Sequence, residues 1–230
     1  MSSRKGTFIS FEGLDGVGKS TQVERLARKL REQGFSVTVT REPGGTQTGE
    51  RIRQLLLDTR TSGLVPMTEL ALMFASRVQH IDEVISPALN AGQIVLCDRF
   101  TDSSEAYQGG GRKLGSKPVL ELHRVLCRDL QPDLTILMDS DVAASVDRAR
   151  RRNQAQSNSK THDENRFEGE NRAFFARVRD TYLEIAKREP NRVVVIDARG
   201  TPDQTHAKIL ETVSGRLGFE IGPGKAHHVR

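Results

Sequence analysis

The sequence is poor in cysteine and in aromatic residues, and it has no long apolar run. Its two cysteines, Cys97 and Cys127, show no metal-type spacing. They point to a reducing, cytoplasmic setting in which both thiols pack in the core. Aromatic residues make up only 5% of the chain and do not interleave with basic ones, so a stacking platform for single-stranded nucleic acid is not indicated. No stretch approaches the roughly 20 apolar residues of a membrane span. The opening MSSRKGTF leads straight into a strand pattern without the apolar region of a signal peptide. What is present is 230 residues, 36% hydrophobic and 28% charged, a length that suits one α/β domain with a sizeable core. The formal net charge of +5 suits a polyanionic partner. Its densest cluster is Arg148, Arg150, Arg151 and Arg152, and the excess fits phosphates held in a pocket better than nucleic acid.

The chain is organised around Phe8 to Thr21, FISFEGLDGVGKST. An apolar run stops at Glu12, and Gly13, Gly18, Lys19 and Ser20 match the phosphate-loop (P-loop) pattern G-x-x-x-x-G-K-[ST]. The spacing has a physical basis. A buried strand delivers the chain to its carboxyl end, and glycines let consecutive N–H groups converge on one anion. The helix that follows, with Val23, Leu26, Ala27 and Leu30 at helical spacing, adds its positive end. The loop implies a nucleoside triphosphate held by Gly13, Leu14, Asp15, Gly16, Val17, Gly18, Lys19, Ser20 and Thr21. Lys19 is expected on the β and γ phosphates and the Ser20 hydroxyl on Mg²⁺.

Further along, Val37 to Thr40 reads as a strand, Arg41 to Thr46 (REPGGT) as a loop, and Arg51 to Leu57 as helical. Thr61 to Pro66 is a connection, and Glu69 to Val84 a long helical pattern. Three short apolar strands end in aspartate, at Asp98, Asp139 and Asp197. Any of these carboxylates suits a magnesium contact beside a phosphate loop. Asp98 stands out because Arg99 and a polar segment, Thr101 to Gly111, follow it. Val142 to Arg152 reads as a helix, Asn153 to Glu164 as a mobile polar loop, and Phe167 to Lys187 as another helix. Val193 to Ile196 is the last strand and Pro202 to about Leu217 the closing helix, with residues 222–230 a frayed tail. The alternation predicts a P-loop NTPase fold, an α/β doubly wound parallel sheet of about five strands flanked by helices. Residues 1–230 read as one domain, without repeat or linker. Taken from the residues alone, the 148–152 cluster fits a solvated helix end as well as a phosphate site.

At Leu96 to Gln108 the chain reads LCDRFTDSSEAYQ. With Asp98, Arg99, Phe100, Ser103, Ala106 and Tyr107, it resembles the signature of the thymidylate (dTMP) kinases. The GLDGVGKS loop, the REPGGT run and the helix around Phe74 and Arg77 resemble that family in the same order, over roughly residues 7 to 215. The resemblance implies transfer of the γ-phosphoryl of ATP to dTMP with Mg²⁺, and a homodimer. It implies that Asp15 contacts the deoxyribose 3′-OH and that Arg99, helped by Arg41, holds the acceptor phosphate. It further implies that Arg77 reads the thymine, Tyr107 packs beneath the sugar, and Ser104 and Gln108 lie near base or sugar. In many relatives the stacking phenylalanine stands four residues before the base-reading arginine; here Met73 holds that place, and Phe74 is expected to stack instead. Gly16 stands where some relatives carry a catalytic arginine. The bacterial-type branch supplies it from a lid, here about 148–166, with Arg150 and Arg152 as the catalytic candidates beside Lys19, Asp15 and Arg99. Ser20 and Asp98 are the metal candidates.

Three other readings compete. A P-loop kinase for another nucleoside monophosphate shares the loop but not the Leu96–Gln108 segment. A GTP-dependent switch wants a guanine-reading N-K-x-D, which the sequence lacks. A nucleic-acid-binding ATPase rests on net charge alone.

Overall fold

The computed structural model describes residues 6–61, 63–157 and 166–219, with side chains omitted at 150, 152–157 and 168. Its centre is a five-stranded sheet. The strands are β1 (Thr7–Glu12), β2 (Val37–Arg41), β3 (Ile94–Asp98), β4 (Leu134–Asp139) and β5 (Val193–Asp197). All pairings are parallel and the order is β2-β3-β1-β4-β5. The inner strands β1, β3 and β4 are near-continuous apolar runs and almost wholly buried, as a sheet covered on both faces requires. Edge strands β2 and β5 leave Val39 and Val195 partly in solvent.

Alternation along β1 divides the core. Ile9 and Phe11 join Leu26, Leu30, Ile209 and Val213 under α1 (Lys19–Glu32) and the closing helix, Pro202–Leu217. Phe8, Ser10 and Glu12 face the other side by the two-residue period. Phe8 there packs with Phe74, Val95 and Phe100. Register brings the strand ends together: Phe11 and Arg41 both pair with Asp98, and the Arg99 N–H donates to the Phe11 carbonyl at 2.9 Å. β1 lies between β3 and β4, so the chain order reverses beside it and a crevice opens at this carboxyl edge.

The helical boundaries depart from expectation in instructive places. α2 (Gln47–Leu57) begins earlier than Arg51, because the Thr46 hydroxyl caps it by accepting from the Gly49 N–H at 2.9 Å. α3 (Pro66–His80) also starts early, with Pro66 at its first turn. It continues through a π-helical turn, Ile81–Ile85, into α4 (Ser86–Asn90). The polar segment after Arg99 is α5 (Thr101–Ser104) running into a wide π-helical turn, Glu105–Gly111. An unanticipated helix, α6 (Ser116–Leu126), follows. α7 (Val142–Ser157) carries the helix into the stretch expected to be loop; residues 158–165 and 220–230 lie outside the described residues. A short turn, Arg166–Gly169, precedes α8 (Arg172–Arg188), which is started by the Asn171 side chain accepting from the Phe174 N–H.

Candidate active site

Between β1 and α1 the backbone takes positive φ at Gly13, Gly16 and Gly18 (129°, 78° and 102°), conformations open chiefly to glycine. A Cβ on Gly16 would sit 2.2 Å from the Ser145 carbonyl oxygen, so α7 packs directly on this loop. The first turn of α1 has no side-chain cap, which leaves its N–H groups for an anion. Leu14 and Val17 are buried beneath the loop, while Ser20 and Thr21 are exposed. Lys19 is buried and folds back, donating from Nζ to the carbonyls of Gly13 (3.0 Å) and Leu14 (2.9 Å). Burial, with Arg99 close by, brings its ammonium down to about 8, against the opposing pull of Asp98, Asp15 and Glu12. Arg148 donates from Nε to the Gly16 carbonyl at 2.9 Å and from Nη2 to the Ser140 hydroxyl at 3.2 Å. One member of the arginine cluster thus braces the loop.

The three strand-ending aspartates separate here. Asp139 is taken by Arg179 through two 2.7 Å bonds, and Asp197 by Arg199. Asp98 alone meets the phosphate loop: Ser20 Oγ donates to its Oδ2 at 2.9 Å. Its Oδ1 is buried and has no partner among the described residues. A hydroxyl and a carboxylate with an unused oxygen fit a magnesium ion that keeps most of its shell for water and phosphate. No cluster of three or more acidic, histidine or cysteine side chains among the described residues offers a fuller cage.

Opposite the loop lies a cavity whose walls include Asp15, Arg53, Met73, Arg77, Arg99, Ser104, Tyr107, Gln108 and Phe167. Arg99 has a left-handed backbone, φ 76°, and a guanidinium held on both arms. Nη2 donates to Asp15 Oδ1 (2.8 Å) and the Tyr107 hydroxyl (3.1 Å), and Nη1 to the hydroxyls of Ser103 (2.9 Å) and Tyr182 (3.1 Å). Burial alone would raise the Asp15 carboxyl, but Arg99 and Lys19 outweigh it and hold it well below the usual range. Arg77 lines the cavity and is otherwise buried, over the rings of Phe74 (4.7 Å) and Phe100 (5.2 Å). Its Nε donates to Glu42 at 2.7 Å and its Nη2 to Ser104 at 3.0 Å. Its Nη1 has no partner among the described residues. A buried guanidinium N–H without a partner is costly unless a ligand acceptor meets it. Behind it, His80 Nδ1 lies 2.9 Å from the second Glu42 oxygen. The Gln108 amide donates to Glu69 at 2.8 Å, and Glu69 also receives Arg112 and Arg166. Arg166 lies over the Phe167 ring at 4.6 Å, and that ring meets Tyr107 edge-on at 5.8 Å.

Of the expected acceptor residues, Asp15, Arg77, Arg99, Ser104, Tyr107 and Gln108 converge on this cavity. Two expectations need correction. Phe74 is fully buried beneath Arg77 and does not line the cavity. Met73 does, because it is four residues before Arg77 on α3 and shares its face. Arg41 is not among the lining residues. It lies on the β2 face that Val37 turns toward α1, and it pairs with Glu50 at 3.0 Å. The cation on that wall is Arg53 of α2, which also donates to the Pro43 carbonyl at 3.1 Å. Arg150 and Arg152 lie on α7 but their side chains are outside the described residues. Sequence reasoning assigned no role to Ser103, which it marked only as part of the signature, and did not single out Phe167 or Tyr182, which lie in the helical pattern beyond the polar loop.

A parallel sheet with a phosphate loop at its carboxyl edge, facing a second cationic cavity across Asp15, defines a P-loop phosphotransferase with separate donor and acceptor sites. A family model described as Thymidylate kinase matches residues 11–209. The thymidylate kinase of Pelobacter propionicus is 46% identical over 213 residues, 92% of this chain and 96% of the relative. That of Pseudomonas syringae pv. tomato is 50% identical over 217 residues, 94% and 99% of the two chains. The crystal structure of thymidylate kinase from Ehrlichia chaffeensis matches with a TM-score of 0.70 at 32% identity, covering 91% of this chain and 98% of that one. The chain belongs to the thymidylate kinase family.

Proposed function

We propose that this enzyme transfers the γ-phosphoryl of ATP to dTMP, giving dTDP and ADP. The observation that carries the reading is one cavity with two differently held guanidinium groups. Arg99 is exchangeable on its Asp15 and Tyr107 side and suits a phosphate. Arg77 is locked by Glu42 and Ser104 through Nε and Nη2, with its Nη1 N–H donors left over among the described residues, and suits a carbonyl of a base. Tyr107 and Asp15 line the same cavity and bond Arg99, and we assign them to the sugar of a nucleotide with its phosphate on Arg99. Arg53 adds a second charge on the acceptor side.

On the donor side the loop N–H groups and Lys19 cradle the β and γ phosphates. Ser20 and Asp98 would hold Mg²⁺, which neutralises charge on those phosphates when bound. Phosphoryl transfer asks the protein mainly for alignment and charge neutralisation, and the two sites meet at Asp15 with opposed cations. Arg150 and Arg152 are assigned to the transferring group, as the resemblance to arginine-bearing lids implies. An arginine that arrives only on closure keeps water away until both substrates are in place. The resemblance also supports a homodimer. No helix among the described residues is long and apolar enough to cross a membrane, and the cytoplasm is the compartment assigned.

The test is ADP release from ATP and Mg²⁺ with dTMP, dUMP, UMP, dCMP, dAMP and dGMP in turn. Strong preference for dTMP is expected. Preference for another monophosphate would overturn the acceptor assignment while leaving the phosphate loop in place.

A further inference from the structure

Glu12 is the last residue of β1 and is fully buried, yet it is not among the residues lining the acceptor cavity. Its Oε1 accepts from the Phe100 N–H at 2.7 Å. Its Oε2 accepts from the Ser103 hydroxyl at 2.5 Å and the Tyr182 hydroxyl at 2.9 Å. Ser103 and Tyr182 are also 2.8 Å from each other, and they are the two groups that receive Arg99 Nη1. One carboxylate therefore reaches Arg99 by two routes. It anchors the backbone immediately after the left-handed Arg99 residue, and it orients both hydroxyls that hold one arm of the guanidinium. A non-glycine residue with that backbone persists only where its surroundings over-determine it.

We propose that Glu12 is a positioning residue for the acceptor-phosphate arginine: through Ser103, Tyr182 and the Phe100 N–H it fixes Arg99 Nη1, so that Nη2 is the arm left to exchange Asp15 and Tyr107 for the incoming phosphate. Tyr182 brings α8 into the same network, so the helix beyond the lid segment is tied to the acceptor cation. Nothing else in the site holds the Nη1 arm among the hydrogen bonds of the described residues. The inference rests on the reading of Arg99 as the phosphate ligand.

The test is calorimetric binding of dTMP and of thymidine, which lacks the phosphate, to the full chain and to Glu12→Gln, Tyr182→Phe and Arg99→Ala. Measurements are made at pH 8, above the value of about 7 to which burial and Asp102 raise the Glu12 carboxyl. Glu12→Gln is expected to weaken dTMP about tenfold, the scale of one hydrogen bond to a charged group, with thymidine unchanged. Tyr182→Phe should do the same to a smaller extent, and Glu12→Gln should add little in an Arg99→Ala background. Equal losses for dTMP and thymidine, or full additivity with Arg99→Ala, would overturn the proposal in favour of a merely structural Glu12. Should Arg99→Ala itself not separate dTMP from thymidine, the reading of Arg99 fails instead. The Tyr182→Phe arm keeps the test decisive if Glu12→Gln does not fold.

Discussion

The donor loop and the acceptor cavity solve the same problem, holding a phosphate, by opposite means. The donor loop is contiguous in sequence and built of backbone. Three glycines set its path, and Lys19, Ser20 and Asp98 add charged and hydroxyl groups at its rim. The acceptor side is built of side chains gathered from β1, the phosphate loop, α2, α3, α5 and the π turn after it, and α8. Its central arginine depends on four separate partners. A backbone cradle reads any triphosphate tail, whereas a site assembled from distant side chains can be specific. It is also open to damage at positions that never touch the ligand.

The largest expected effect tests the donor half. Lys19→Ala should reduce turnover by about 10³ or more, the scale seen when preorganised charge is removed from a transition state. It should leave the affinity for dTMP, measured by calorimetry without ATP, nearly intact. Equal loss for both substrates would erase the division between the two halves. A smaller effect sharpens the acceptor half. Arg53→Ala should raise KM for dTMP by roughly tenfold, and Arg41→Ala by no more than about threefold, since its exposed pair with Glu50 is worth little. Steady-state kinetics in dTMP would show the reverse ranking if the β2 residue were the true phosphate ligand.

A graded effect is expected in the pH profile. With its ammonium near 8, Lys19 of the free enzyme is charged below that value and loses its proton as pH rises through it. kcat/KM for ATP should therefore fall on the alkaline side of about pH 8, by up to tenfold per unit. Lys19→Arg, which stays charged, should flatten that limb. A wild-type profile that stays level to pH 9.5 would mean that Lys19 is not buried and cation-crowded in solution. The charged groups facing it are Arg99, Asp98, Asp15 and Glu12; Arg99 is held above its ordinary range and Asp15 below its own, so neither titrates on that limb. Glu12 titrates near 7, on the opposite side of the profile.

The same contrast explains what could be read from the sequence. Four of the strands were legible as short apolar runs cut off by an acidic residue and β2 as the β-branched run Val37 to Thr40, and the phosphate loop because its chemistry is contiguous. Thr101 to Gly111 was not legible as helix. Its residues are polar but buried, so hydrophobic period carries no signal there. Gly110 and Gly111 are also helix-poor residues, kept because a Cβ would meet Thr181 and Phe174 of α8 at 2.0 and 2.5 Å. Tertiary packing overrides propensity in that segment. Phe74 was misplaced for a related reason. An aromatic one position from Met73 looks equivalent in a list but lies about 100° away around a helix, and here it supports the arginine from beneath. Glu12 was seen only as the end of an apolar run, since nothing local says that a strand-ending carboxylate will meet Tyr182 from the far end of the chain.

Asp15 belongs to the donor loop by sequence and to the acceptor arginine by contact. The 2.8 Å pair between it and Arg99 makes the two sites one thermodynamic system. A ligand that loosens the pair from the cavity side also releases a carboxylate in the loop, and a ligand that rearranges the loop changes the hold on Arg99. Reciprocity then requires that the factor by which ATP alters dTMP affinity equal the factor by which dTMP alters ATP affinity. Each substrate is thereby an effector of the other.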